Sequence, residues 1–471
     1  MSRKETNNII LIEVDGDERR AAVLSEGSVQ EIIIERIEES SRIGNVYYGK
    51  VAVVNEAIHA AFVDIGQGRN CFLPLSDYPK SIKKGDSVFV QIAKEEISGK
   101  PARLSGYISI PGRFLIYMPN SSKGGVSRNI LDVAERDRLR GELEGLKKNK
   151  PGAWIVRTQS AGRKSSEIAS DAGRLIEIWD KIQKFSSQGA PGIVYRMEEF
   201  TQKILRELLN NKTDKIIIEP ESEFEKAKKF LKAVAPDKLS CLRPNKDERS
   251  PFQIYGVENV IRGLTMPSVG LPSGGEIVIQ STEALTAIDV NSRGFKKKGS
   301  VEETSFVTNK EAAREIMRQI RLRNIGGIIV ADLIDMERAL HKKEIYDIMF
   351  TEASYDRAKI RIFPLNRLGI IEITRQRLED NILKKITSRC DHCDGSGRQL
   401  SPRTMFIRIK RHLARLNRGD FKGATLNIFV HPAVAEMFGE KDIDELIELT
   451  GKRIRIRADY KVSEQEYKIE Q

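Results

Sequence analysis

Apolar and polar residues alternate with a two-residue period along the start of the chain. Ile9–Val14, Ala21–Leu24 and Val29–Glu35 read as strands, joined by turns at Asp15-Gly-Asp and Ser25-Glu-Gly. Three strands cannot close a core alone, so they are expected to pair with strands from later in the chain. From Val46 the strands come at close intervals: Val46–Val54, Ala60–Ile65, Cys71–Leu73, Ser87–Ile92 and Tyr107–Ile110. Gly49, Gly66, Gly68 and Gly85 punctuate them, which suits a small β-barrel of the OB type.

The period then lengthens. A charged helix is predicted over Ile130–Leu146, a strand at Ala153–Val156, a helix from near Ser166, and amphipathic helices at Leu175–Phe185 and Met197–Leu209. Lys215–Glu219 (strand) and Ser222–Ala233 (helix) are candidates to complete the N-terminal sheet. Next comes a strand ending at Asn291, then Ala312, Ala313, Ile316, Met317 and Ile320 at helical spacing, with Thr308 or Asn309 as cap. Gly326-Gly327 stops that helix, and Ile328–Asp335 reads as a buried strand. Strand, helix, strand predicts two parallel neighbours. A helix at Glu344–Ala353, strands at Lys359–Phe363 and Gly369–Thr374, and a basic helix after Arg375 follow. The last segment reads strand, helix, helix, strand: Thr425–Val430, Val434–Phe438, Ile443–Thr450 and Arg453–Ala458.

This pattern places chemistry. Asp289 and Asn291, two residues apart on one strand, share a face, and Asp332 ends the predicted parallel neighbour. Open α/β sheets bind ligands at such carboxyl ends. Two converging carboxylates repel unless a cation joins them, and Mg²⁺ takes one or two carboxylates plus phosphate oxygens. The loop Ser292–Ser300, with Lys296, Lys297 and Lys298, adds positive charge. The plainer alternative makes Asp289 and Asn291 a strand cap and pairs Asp332 with an arginine.

Two more stretches suggest binding. Arg157–Ser165 crowds Arg, Lys and hydroxyls before a helix start, which suits a phosphate, although Arg157 stands where a P-loop needs glycine. In the barrel stretch Phe62 and Phe72 interleave with cations such as Lys50. Either the rings stack on bases, at about 1–3 kcal/mol each, or they fill the barrel.

Composition sharpens the partner. The 471 residues carry 79 Lys and Arg against 67 Asp and Glu, a net charge of +12 that favours polyanions. The start has no apolar signal region and no run is long enough to span a bilayer, so a cytoplasmic protein without a membrane partner is expected. Of four cysteines, Cys390 and Cys393 form a Cys-x-x-Cys turn followed by glycines. Two thiolates are half of a structural zinc site, and a second copy of the chain is the simplest source of the rest. A redox dithiol is the rival, without a thioredoxin-like pattern around it.

Several motifs together resemble the bacterial ribonuclease E/G endoribonucleases. They are Ser281–Ser292 (STEALTAIDVNS), Arg321–Met336 (RLRNIGGIIVADLIDM), Ala60–Gly66 with Phe72–Leu75, Ile155–Thr158, and the Cys390/Cys393 turn. They run in family order over nearly the whole chain. The resemblance implies an α+β multidomain protein. A ribonuclease H-like fold is split between residues 1–37 and 203–264, with an S1-type OB-fold (38–118) and a 5′-sensor region (119–202) inserted. A deoxyribonuclease I-like catalytic domain (265–385), a zinc link (386–400) and a small C-terminal α/β domain (401–471) follow. It further implies Asp289 and Asp332 as Mg²⁺ ligands, and Asn291 orienting the attacked phosphate or its water. Arg157 and Thr158 hold a 5′-monophosphate, with Gly125 and Val126 adding backbone contacts. Phe62, Phe72 and Lys50 contact RNA. Cys390 and Cys393 share Zn²⁺ with a partner chain in a homodimer, itself able to pair into a dimer of dimers. Where the family often places an arginine this chain has Lys359, which lacks the bidentate fork and softens the expected preference for 5′-monophosphate. The chain ends at Gln471 without the long tail of ribonuclease E, which is expected to place it nearer the ribonuclease G branch.

The implied function is Mg²⁺-dependent hydrolysis of single-stranded RNA, ribosomal RNA precursors and mRNA included. The alternative is a non-catalytic RNA-binding protein acting in translation or ribosome assembly. Whether Asp335 assists the metal site stays open.

Overall fold

The N-terminal alternation produces β1 (Asn8–Val14), β2 (Glu18–Ser25) and β3 (Ser28–Arg36), paired antiparallel in that order. The computed structural model describes residues 8–36, 42–96, 100–130, 132–149, 151–185, 189–197, 199–294, 300–393, 395–415 and 423–470. The protein is mixed α+β and divides into two compact units, residues 1–385 and 386–471.

β4 (Val46–Asn55), β5 (Ala60–Asp64), β6 (Cys71–Pro74), β7 (Ser87–Lys94) and β8 (Arg103–Ser105) form a closed barrel in the order β4-β5-β6-β8-β7, with β4 pairing β7. Tyr47, Val51, Val63, Leu73, Val90 and Leu104 fill it. Closure needs a sharp approach at Gly49, where a Cβ would stand 2.7 Å from Val63 Cγ1 and 2.9 Å from the Asp64 carbonyl oxygen. The expected fifth strand, Tyr107–Ile110, is not part of the barrel. Arg103–Ser105 takes its place, a strand too short and too polar to show a period, with Leu104 buried and Arg103 paired to Asp77.

β9 (Ile110–Pro111), β10 (Leu115–Met118), β11 (Gly125–Val126), α1 (Val133–Asn149), β12 (Ala153–Val156) and α2 (Ser165–Lys184) build the next layer. Its sheet runs β11-β12-β10-β9. The helix expected near Ser166 and the one at Leu175–Phe185 are one continuous α2. β13 (Gly192–Tyr195), not anticipated from its short apolar run, adds to the barrel beside β4.

α3 (Phe200–Leu208), β14 (Thr213–Glu219), α4 (Glu221–Val234), β15 (Leu242–Pro244), α5 (Pro251–Ile254) and α6 (Val257–Leu264) follow. β14 lies parallel to β1, giving a sheet of order β15-β14-β1-β2-β3. The late partner demanded by three lone strands is therefore present, and α3 and α4 cover one face of the sheet with Ile204, Leu205 and Leu231.

A second six-stranded sheet is built from β16 (Ser268–Gly270), β17 (Glu276–Ser281), β18 (Leu285–Asn291), β19 (Gly327–Asp332), β20 (Ile360–Ile362) and β21 (Ile370–Arg375). Its order is β16-β17-β18-β19-β21-β20. Only β18 and β19 are parallel neighbours; the other pairs are antiparallel. α7 (Val301–Leu322) is the crossover between them, and α8 (Ala339–Ala353) packs beside it on the same face. α7 starts eight residues earlier than expected, with the Ser300 hydroxyl accepting from the Glu303 amide. Thr308 and Asn309, read as possible caps, are buried inside the helix. At the end of the sheet away from Asp332, Arg375 holds Asp356 through two hydrogen bonds of 2.9 and 3.0 Å, both side chains nearly inaccessible.

A basic helix does follow Arg375, with Lys384 and Lys385 in its last turn. It is the short α9 (Ile382–Ile386), and a longer basic helix, α10 (Pro402–Arg415), comes after it. In the second unit β22 (Thr425–Val430), α11 (Pro432–Ala435), α12 (Glu440–Thr450), β23 (Arg453–Ala458) and β24 (Tyr467–Glu470) follow, with sheet order β23-β22-β24.

Candidate active site and RNA-contacting surfaces

In β18, Thr286, Ile288 and Val290 are buried while Ala287, Asp289 and Asn291 are exposed, so the strand period alone puts the two polar groups on the open face. Parallel pairing then makes Asp289 and Asp332 direct register partners. Adjacent strands lie about 4.8 Å apart, so the two carboxylates rise side by side from the open face of the sheet. The Asn291 amide nitrogen donates to Asp289 Oδ2 at 2.6 Å, which fixes the carboxylate's rotation. Asp332 ends its strand exposed, without a carboxylate-to-arginine pair among the described residues. The alternative that tied it to an arginine is not what the structure shows.

The surroundings are assembled from both sides. Glu276, opposite Asn291 in register, accepts from the Ser268 hydroxyl and holds Arg293 at 2.5 Å, the first cation of the loop after β18. These partners keep the Glu276 carboxyl below its ordinary range, the serine hydrogen bond contributing most. Lys296, Lys297 and Lys298 of that loop lie outside the described residues. Beyond Asp332, Asn309 clamps the backbone of Ile334, donating to its carbonyl at 2.7 Å and accepting from its amide at 3.1 Å. Glu302 accepts from the amides of Glu337 and Arg338 at 2.7 and 3.2 Å and contacts His341 Nδ1 at 2.7 Å. Asp335 is exposed on this clamped segment, near the turn at Gly369.

Among the described residues no group of three or more His, Cys, Asp or Glu side chains is arranged to hold a metal. Two carboxylates on an open face are fewer than a closed transition-metal site needs and match the sparse protein ligation of Mg²⁺. The exposed carboxylate pair fits that ion.

The sequence-predicted 5′-end residues also gather. β11 lies parallel to β12, with Gly125 opposite Ile155 and Val126 opposite Val156. Arg157 and Thr158 leave the end of that same β12, and the Thr158 hydroxyl meets the Ser127 hydroxyl at 2.8 Å. The Arg157 guanidinium donates to the Gly112 carbonyl at 2.8 Å and to the Glu207 carboxylate of α3, and only 16% of the side chain is exposed. Burial alone would raise the Glu207 carboxyl, but Arg157 and Arg206 outweigh it and hold the group below the usual range. Arg357, two residues before exposed Lys359, also acts on Glu207, so the approach to β20 and the Arg157 loop meet there. Glu207 was not legible in the sequence. One acid among many on a helix carries no local mark.

On the barrel, Phe62 and Phe72 are register partners whose rings meet edge to face at 6.0 Å. Neither belongs to the buried interior, and both are half-buried on the outer wall, with Lys50 exposed on β4. The rings therefore do not fill the barrel.

Cys390 is exposed and Cys393 half-buried. The Gly397 amide donates to Cys393 Sγ at 3.3 Å, and this bond leads the influences that lower the thiol's pKa, as suits a thiolate ligand. Asp394 of the turn lies outside the described residues. No helix of the described residues is long and apolar enough to cross a membrane.

A family model described as the ribonuclease E/G family matches residues 109–378. Ribonuclease G of Escherichia coli (strain K12) is 30% identical over 486 aligned positions, covering 98% of this chain and 99% of that one. Ribonuclease G of Haemophilus influenzae is 30% identical over 485 positions, with 98% of each chain covered. Ribonuclease E of Haemophilus influenzae is 34% identical over 416 positions, 84% of this chain and 44% of that protein.

Proposed function

Because the chain belongs to the ribonuclease E/G family and is an endoribonuclease, we propose that it hydrolyses single-stranded RNA with Mg²⁺ held by Asp289 and Asp332. The observation that carries this is their direct register across the one parallel strand pair of the β16–β21 sheet, on its open face. When bound, Mg²⁺ supplies charge neutralisation at the phosphoryl group and activates a water. The protein's share is positional. Asn291 sets the rotation of Asp289, and Asn309 with Glu302 fastens the segment that leaves Asp332. Holding both acids on packed strands limits the reorganisation needed when substrate arrives.

RNA approaches across the barrel wall, where Phe62 and Phe72 present ring surface and Lys50 a cation. Arg157, Thr158, the Gly125-Val126 backbone and Lys359 receive the 5′-monophosphate of the substrate. Cys390 and Cys393 complete a shared Zn²⁺ with the same pair of a second chain, making a homodimer that can pair again. The parts follow the family's order, including a ribonuclease H-like fold divided between residues 1–37 and 203–264, which the β1–β14 pairing supports. The substrates are ribosomal RNA precursors and mRNA, and the setting is the cytoplasm.

The test is cleavage of a labelled single-stranded RNA in Mg²⁺. Asp289→Asn and Asp332→Asn are each expected to abolish cutting while RNA binding in EDTA stays close to wild type. Wild-type cutting by either variant would overturn the metal assignment.

A further inference from the structure

The three-stranded sheet of the second unit has a face that the reaction does not use. Leu426, Ile428, Val430 and Ile454 point into the core shared with α10 and α12. Strand alternation therefore places Thr425, Asn427 and Phe429 of β22 on the opposite face, with Arg453, Arg455 and Arg457 of β23 and Lys468 and Glu470 of β24. The register arranges them. Phe429, on the central strand, lies between Arg457 on one side and Lys468 on the other. Asn427 lies between Arg455 and Glu470, and Thr425 lies beside Arg453.

The three arginines and Lys468 are exposed, and among the described residues none of them pairs with a carboxylate. Successive arginines on one strand face recur about every 6.6 Å, so their mutual repulsion is unrelieved by the protein itself. Glu470 is the single acid of the face, at its edge. A half-buried phenylalanine on the central strand offers a π surface within a ring of cations. An aromatic platform framed by a row of arginines is what single-stranded nucleic acid uses, bases on rings and phosphates on cations. A second copy of the same face is disfavoured, because a two-fold contact would set arginine rows against each other.

We propose that this face is a docking platform for single-stranded RNA, with Phe429 stacking on a base and Arg453, Arg455, Arg457 and Lys468 engaging phosphates. The choice of RNA as ligand rests on the endoribonuclease reading, and the platform's place in the fold does not. It holds a stretch of RNA by its backbone and is tolerant of sequence, since stacking and phosphate contact are common to all bases.

Binding of a labelled single-stranded oligoribonucleotide to the full chain, without added Mg²⁺ and without chelator so that bound zinc is kept, is read by fluorescence anisotropy across a salt series. Replacing three phosphate contacts with Arg453→Ala/Arg455→Ala/Arg457→Ala is expected to weaken binding and to reduce the salt slope by about two. Phe429→Ala is expected to weaken binding about fivefold or more with the slope retained, and Phe429→Tyr to restore it. The arginine changes are on the exposed face and leave the core intact, which circular dichroism checks. Unchanged affinity and slope in the triple variant would overturn the proposal. So would a loss of native mass without a loss of RNA binding, which would make the face a contact between copies. Failure of the magnesium assignment reads out separately, since no step here requires cutting.

Discussion

Arg157 is fixed by two partners and is the residue proposed to receive the 5′-phosphate. Its guanidinium is held by Glu207 and the Gly112 carbonyl, which gives it a fixed direction, and it stands beside Thr158 and the Gly125-Val126 backbone. Arg157→Ala is expected to bring cleavage of 5′-monophosphate and 5′-hydroxyl RNA towards equal rates, whereas cleavage of the 5′-hydroxyl substrate changes little. Paired time courses on the two substrates check this. Glu207 gives a pH prediction. Its carboxyl is depressed below the ordinary 4.5 in the folded protein, so it contributes stability above that value and loses it as pH falls through the folded one. Glu207→Gln is expected to unfold at lower urea than wild type near neutrality, with the two proteins converging in increasingly acid solution below about pH 4.5. A gap that persists unchanged in acid would remove the ion pair as its cause. Asp289 and Asn291 were legible because a period of two assigns the same face from sequence alone. Glu207 was not, because its partner is 50 residues away in the chain.

At the scale of elements, α7 connects fold and chemistry. One face fills the core with Ala312, Ala313, Ile316 and Ile320, while Asn309 and Glu302 reach the segment after Asp332. Asn309 is a polar residue on the apolar stripe, and its type by itself favours a cap. Packing decided otherwise, for the helix begins at Ser300 and Asn309 is fully buried. Asn309→Ala would remove both hydrogen bonds that hold the half-buried backbone of Ile334. An unfolding free energy lower by roughly 1–3 kcal/mol is expected, with a higher Mg²⁺ requirement for cleavage. Denaturant titration and a Mg²⁺ series measure the two effects. The barrel teaches the same lesson from the other side. Its long strands were evident, but Arg103–Ser105 closes it with three residues that propensity could not single out.

For the whole molecule, charge and assembly matter most. A net charge of +12 makes RNA association sensitive to salt at every step. The proposed zinc site takes two thiols from each chain, so on that proposal metal content and oligomeric state change together. Native mass spectrometry with metal analysis is expected to give one zinc per two chains, and Cys393→Ser to lose both the zinc and the dimer. One zinc per chain in a monomer would refute the sharing.

The sequence by itself determined what depends on neighbours along the chain. Strand period, helix period, turn glycines and the Cys-x-x-Cys spacing are local, so the side of β18 that carries Asp289 and the existence of α7 followed directly. Tertiary structure decided what depends on distant residues meeting. The register that sets Asp289 against Asp332, the outward placement of Phe62 and Phe72, and the hold of Glu207 on Arg157 all arise from packing and closure. Such contacts leave no period in the sequence, because their energy comes from partners that only the folded chain brings together.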